Sequence, residues 1–168
     1  SERILINQGR ILTNQQLDES TSQQINLSNR EFSIFSQFGE DGIMQFLVNS
    51  IEIEHKTFIE FGVEDFSESN CRFLMMKDNW RGFVIDGSER NISRLVKSYY
   101  YWKYDLQAIC AFVDQDNIED LLDQSGFDHD LGILSIDLDG VDYFVLSSIT
   151  KFKPRILICE FNPIFGPT

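Results

Sequence analysis

The chain has 168 residues, with 27 acidic side chains against 14 Lys and Arg and a formal net charge of −13. With no Lys/Arg cluster anywhere, that balance excludes a phosphate-reading nucleic-acid interface and disfavours an anionic membrane surface. A length of one domain, 42% hydrophobic residues and 24% charged ones describe a globular chain that can hold a core without staples.

Residues 1–30 are polar, rich in Gln, Asn and Ser, and lack a sustained period. They read as an N-terminal arm with a short helix or partial disorder. Its Ile4, Leu5, Ile6, Ile11 and Leu12 are available to dock on the body or on a second copy. Residues 31–168 read as the core. A helix is predicted over 39–51, then a strand over 57–62, a helix near 68–78 capped by Ser67 or Ser69, and a strand over 83–86. Ser88 can cap the next helix, whose apolar face is Ile92, Leu95, Val96 and Tyr99. A third strand is predicted at 107–113, a helix at 117–125 closed by Gly126, a fourth strand at 133–137, a helix near 141–150 and a fifth strand at 156–161. Five alternations of strand and helix, with strands written as continuous apolar runs, predict an α/β Rossmann-like three-layer sandwich on a mostly parallel sheet. Cys71, Cys110 and Cys159 are odd in number, have no C-x-x-C spacing and sit in apolar runs. They read as buried free thiols of a reducing, cytoplasmic protein. No signal peptide is read at the start, and no run reaches the length of a membrane span.

In such sheets ligands bind beyond the carboxyl ends of the strands. All five predicted ends carry carboxylates: Glu60, Asp86, Asp114 with Asp116, Asp137 with Asp139 and Asp142, and Glu160. Gly62 permits close backbone approach to a ligand. Asp86 follows it by 24 positions, the placement of a carboxylate that accepts from both ribose hydroxyls; alternatively it caps the next helix. A dinucleotide turn wants G-x-G-x-x-G, yet Glu64 and Ser67 stand at the second and third glycine positions. A carboxylate there repels a pyrophosphate and suits the ammonium and sulfonium of S-adenosylmethionine.

The segments Glu60-Phe61-Gly62, 84–88 (VIDGS) and 135–142 (SIDLDGVD), with Ser36-Gln37 and Asp41 upstream of the first strand, resemble class I S-adenosylmethionine-dependent methyltransferases of the FkbM-like group, over residues 33–163. The resemblance implies O-methylation of a sugar or other small-molecule acceptor. Glu60 and Gly62 would then line the methionine end, Asp86 and Gly87 would hold the ribose, and Asp116 and Asn117 would lie near the adenine. Asp137 would face the methionine ammonium or the acceptor, and Gln37 and Asp41 would close the pocket. Plainer roles compete: Glu40 and Asp41 suit a first helical turn and Asn117 is an adequate N-cap. The resemblance also implies strands six and seven, which this chain lacks, leaving the fifth strand an apolar edge. A homodimer through that edge or through the N-terminal arm is one expectation.

As general base, Asp137 is preferred over Glu160 and Asn162, because His55 and His129 precede strands and so sit at the wrong edge. Asp137, Asp139 and Asp142 are the residues that could hold a divalent cation, but Gly140 directly after Asp139 breaks the calcium-loop pattern, so no metal is assigned. The alternatives to a methyltransferase are a non-catalytic binding or scaffold module and an NAD or nucleotide-binding protein.

Overall fold

A computed structural model describes residues 1–18, 26–138 and 142–159. The strands are β1 (Thr57–Phe61), β2 (Arg81–Asp86), β3 (Leu106–Cys110), β4 (Ile133–Ile136) and β5 (Ile156–Cys159), forming one all-parallel sheet in the order β3-β2-β1-β4-β5. Central β1 is buried along its whole length, as its apolar sequence requires. Alternate residues feed two cores. Phe58, Val84, Leu106 and Ile133 pack under α2 (Glu40–Ser50), α3 (Arg72–Asp78) and α4 (Glu89–Leu95). Ile59, Phe61, Phe83, Ile85 and Leu134 pack under α6 (Ile118–Asp123) and α7 (Asp142–Ser148). The predicted Rossmann-like α/β architecture is thus present, with the strand order reversing between β1 and β4.

Local chemistry trims the predicted elements. Helix α3 starts at Arg72 rather than near 68, because residues 69–71 are engaged elsewhere, as described below. The single helix predicted after Ser88 is two. Ser88 Oγ accepts from the Asn91 N–H and starts α4, and Ser98 Oγ donates to the Leu95 carbonyl before α5 (Tyr99–Lys103). The continuation of the fifth strand to 161, with Glu160 and Asn162, lies outside the described residues.

The N-terminal arm differs most from expectation. Its first part is α1 (Glu2–Asp18), a 17-residue helix lying on α2 and α3. Its buried face is Gly9, Thr13 and Gln16, whereas Ile4 and Ile11 are 61% and 59% exposed. Gly9 sits against the Phe73 ring, where a Cβ would come within 2.2 Å. Gln16 Nε2 donates to the Arg30 carbonyl at 2.5 Å and Arg30 returns a bond to the Gln16 carbonyl at 3.2 Å. Glu2 accepts from Arg72 at 2.5 Å and also from the Tyr99 hydroxyl. The buried Arg72 guanidinium lies over the rings of Phe35 (4.2 Å) and Tyr100 (4.6 Å). An apolar period could not show this helix, because close approach at Gly9 and polar bonds dock it together with Ile6 rather than a continuous apolar stripe.

The thiols also depart from expectation. Cys71 is buried, but Cys110 and Cys159 are exposed, because they lie on the two edge strands, where neighbours cover less of the chain. All three are free. No described helix is long and apolar enough to cross a membrane.

Glu2→Ala leaves Arg72 without its carboxylate and should cost about 1–2 kcal/mol, between an exposed and a buried pair. Amide exchange should accelerate across α1 and stay unchanged in β1. Retained protection in α1 would show that the ion pair does not dock the helix.

Candidate functional site

A cavity of about 330 Å³ opens at the carboxyl ends of β1, β4 and β5, beside the point where the strand order reverses. Residues 60–64 form its floor, and Ile136, Asp137, Ile158 and Cys159 form a wall. Gln37 and Phe38 from the segment before α2, Glu40 at its first position and residues 68–70 form the lip.

Glu60 lines the cavity, yet both its oxygens are committed inward. Oε2 accepts from Ser69 Oγ (2.6 Å) and the Cys71 N–H (3.3 Å), and Oε1 accepts from the Asn70 N–H (2.9 Å). Helix α3 has no side-chain cap from its own N-cap residue, so this strand carboxylate satisfies its entry. Ser69, expected as a cap, binds Glu60 instead. Burial pushes the Glu60 carboxyl upward, and the three donors oppose that shift. Burial, then the neighbouring Glu60, pushes the Cys71 thiol well up, so it stays protonated. Asn70 Nδ2 donates to Ser135 Oγ at 3.3 Å, tying the same loop to β4.

Gly62 has φ +70°, and a Cβ there would lie 2.0 Å from the Asp137 carbonyl oxygen. The close approach expected with a ligand is thus made with the end of β4. Two further residues of this loop are left-handed, Glu64 (φ 49°) and Phe66 (φ 66°). Each costs on the order of 1–2 kcal/mol. Phe66 is held there by its N–H to the Val63 carbonyl and by its buried ring against Phe58 and Tyr100. Glu64 is held by its N–H to Asp86 Oδ2 at 2.8 Å.

Asp86 therefore clasps two strand ends. Its Oδ1 also accepts from the Ser88 N–H (2.8 Å) and Asn91 Nδ2 (3.3 Å), which realises the helix-entry alternative. Three bonds leave one of a carboxylate's four acceptor positions, on Oδ2. Asp86 and Gly87 do not line the cavity but adjoin its Glu64 side. The Phe112 ring, 83% exposed, lies against Gly87, where a Cβ would meet it at 2.7 Å.

Asp116 and Asn117 do not line the cavity either. Asp114 Oδ1 accepts both their N–H groups at 2.9 Å, and Asn117 Nδ2 donates to the Phe112 carbonyl at 2.9 Å. Asn117 occupies the N-cap position of α6 without a side-chain cap bond; it closes the loop that carries Phe112. Asp41 is buried behind the lip. Its Oδ2 accepts from the N–H groups of Ile34 (2.7 Å), Phe35 (2.7 Å) and Ser36 (2.9 Å), while Oδ1 is buried without a partner among the described residues. Burial pushes this carboxyl upward against those bonds. So Asp41 shapes the segment carrying Gln37 rather than closing the pocket itself. Gln37 does reach across the lip, its Nε2 donating to Glu68 Oε2 at 2.5 Å.

Asp137 lines the wall, exposed. Asp142 Oδ1 accepts from the Leu138 N–H at 3.1 Å, and Asp139 lies outside the described residues. The described group with metal-ligand spacing is elsewhere: Glu54, His55 and Asp130, with ligand atoms within 4.8 Å of one another. These residues precede β1 and β4, at the opposite sheet edge, and Arg155 already grips Asp130 at 2.5 and 2.8 Å.

Of the expected residues, then, Gln37, Glu60, Gly62 and Asp137 meet at the cavity. Phe38, Glu68, Asn70 and Cys159 were not expected there. The segment 36–38 has no periodic pattern, and Cys159 reads as core until its strand is known to be an edge. Among the described residues the lining holds five carboxylates, Glu40, Glu60, Glu64, Glu68 and Asp137, and no Lys, Arg or His.

Asp41→Asn removes a carboxyl whose pKa is raised on folding. The folded state holds that proton more tightly, so wild-type stability relative to the variant should be greatest in acid and decline as pH rises through the folded value. Urea unfolding of both proteins across pH checks this; a flat or rising difference contradicts it. Glu64→Asn places a residue tolerant of left-handed backbone at φ 49° and should raise stability by about 0.5–1 kcal/mol, or about 1–4 °C in Tm. An unchanged or lower Tm would show that the loop is unstrained there.

Compared with protein-family models, curated proteins and solved structures, the chain matches none.

Proposed function

We propose that the cavity receives the methionine end of S-adenosylmethionine and that the protein is a class I, FkbM-like methyltransferase acting on a hydroxyl of a small molecule, a sugar or similar. One observation carries this reading: the cavity at the reversal of strand order is lined by five carboxylates and no cationic side chain among the described residues. Such a lining repels the pyrophosphate of NAD and attracts an ammonium and a sulfonium. At about 330 Å³ the cavity is at the small end of ligand sites and suits part of a cofactor. The rest would extend past Glu64, where Asp86 keeps an acceptor position for a ribose hydroxyl and the exposed Phe112 offers a face to a planar base.

When bound, the cofactor supplies a methyl group already activated by the sulfonium. The chain's part is alignment and proton removal. The floor is fixed by bonds from Glu60 and Asp86, so the site is preorganised. Asp137, exposed on the wall, accepts the proton of the acceptor hydroxyl. Exposed free thiols at Cys110 and Cys159 support a cytoplasmic site of action.

Calorimetric titration with S-adenosylmethionine, S-adenosylhomocysteine and NAD tests the reading. The first two should bind at least about tenfold more tightly than NAD, a difference of about 1.4 kcal/mol. Asp137→Asn should keep cofactor affinity within about threefold and lower methyl transfer by about 10²-fold or more. No heat with S-adenosylmethionine, or equal affinity for NAD, refutes the proposal. Unchanged transfer by the variant refutes the role of Asp137.

A further inference from the structure

We infer that the small molecule completing this cavity carries an ammonium group, so that the acceptor is an amino sugar or amino alcohol rather than a neutral polyol. The inference rests on the cofactor reading above. Bound S-adenosylmethionine carries two positive groups and one carboxylate, a net charge of +1. Among the described residues the lining offers no cationic side chain to meet that carboxylate, and five carboxyl groups surround it. Glu60 is engaged by three donors at the entry of α3. Glu40, Glu64 and Glu68 add three further carboxylates to the described lining, more negative charge than the cofactor's net +1 balances.

The lip adds an independent preference. Phe38 lines the cavity with its ring 79% exposed, and its backbone is fixed by a 2.8 Å bond from its N–H to Glu40 Oε2. Across the same lip Gln37 holds the Glu68 carboxylate. On the floor, no described group donates to the Glu64 carboxylate. An aromatic face presented with carboxylates recognises an alkylammonium, through cation–π attraction and charge-assisted hydrogen bonds together. A neutral polyol gains from neither.

The test uses glucosamine and glucose, which differ by an ammonium in place of one hydroxyl. The full chain is titrated with each, in mildly acidic buffer, both alone and saturated with S-adenosylhomocysteine. Glucosamine should bind at least about tenfold more tightly than glucose, and the preference should fall below about threefold in the Glu64→Gln/Glu68→Gln variant. Both residues are exposed, so the variant should fold, and its unfolding midpoint is measured alongside. Equal binding of the two sugars overturns the inference, as does a preference that survives in the folded variant. Tight Mg²⁺ binding that excludes glucosamine also overturns it, by giving the carboxylates to a metal. Cofactor binding without sugar discrimination removes the ammonium inference alone. Failure of both S-adenosyl compounds removes the function proposed above, whatever the sugars do.

Discussion

The Glu60 carboxylate is the contact on which the site's geometry depends. It projects from the middle strand of a parallel sheet, and its exposure is 4%. A buried carboxylate is costly unless its lone pairs are met. Here three donors from residues 69–71 meet them, so α3 can begin only where those donors converge. That choice fixes the length of chain between β1 and α3. The segment must leave β1 through a left-handed Gly62, turn twice more in the left-handed region and return to Ser69. The floor of the cavity is this segment. Replacing Glu60 by an apolar residue would release the loop as well as remove a charge.

The acids at this edge divide into two kinds that a sequence cannot separate. Asp41, Glu60, Asp86 and Asp114 each accept two or more bonds from backbone N–H groups or neighbouring side chains, and each shapes a loop. Glu64 and Asp137 line the cavity, as Glu60 also does. Motif position assigns Asp41, Glu60 and Asp86 to ligand contacts and marks Asp114 only as a strand-end acid. Asp86 closes the loop and the helix entry with three bonds and keeps one acceptor position on Oδ2 beside the cavity.

The sheet and its two cores were legible because β1, β2 and β4 are mostly apolar and helices separate them. The parallel strands implied the carboxyl edge where a ligand would bind, whereas the strand order and its reversal between β1 and β4 carry no periodic signal. What stayed illegible has physical reasons. Helix α1 buries Gly9, Thr13 and Gln16 and exposes Ile4 and Ile11, so its pattern points the wrong way. Gly62 was correctly marked as a close approach, but its neighbour is the Asp137 carbonyl, a contact made 75 residues later in the chain. The lip residues depend on backbone bonds to Asp41, and Cys159 on being in an edge strand. Such facts are tertiary and leave no periodic trace.

Helix entries explain part of the acid excess at this edge without any ligand. In a parallel α/β sheet the helices begin where the strands end, and their N–H groups and dipoles favour carboxylates there. Asp86, beside the start of α4, and Glu60, at the start of α3, are accounted for in this way. Glu64 is not: it follows β1, eight residues before α3 begins, and occupies a backbone region that disfavours a glutamate. Nothing in the fold requires a carboxylate at a left-handed position whose side chain accepts no hydrogen bond from a described group. A glutamate set against its backbone preference, on the floor of a cavity whose described lining holds no cationic side chain, is the residue that most favours the proposed cationic ligand.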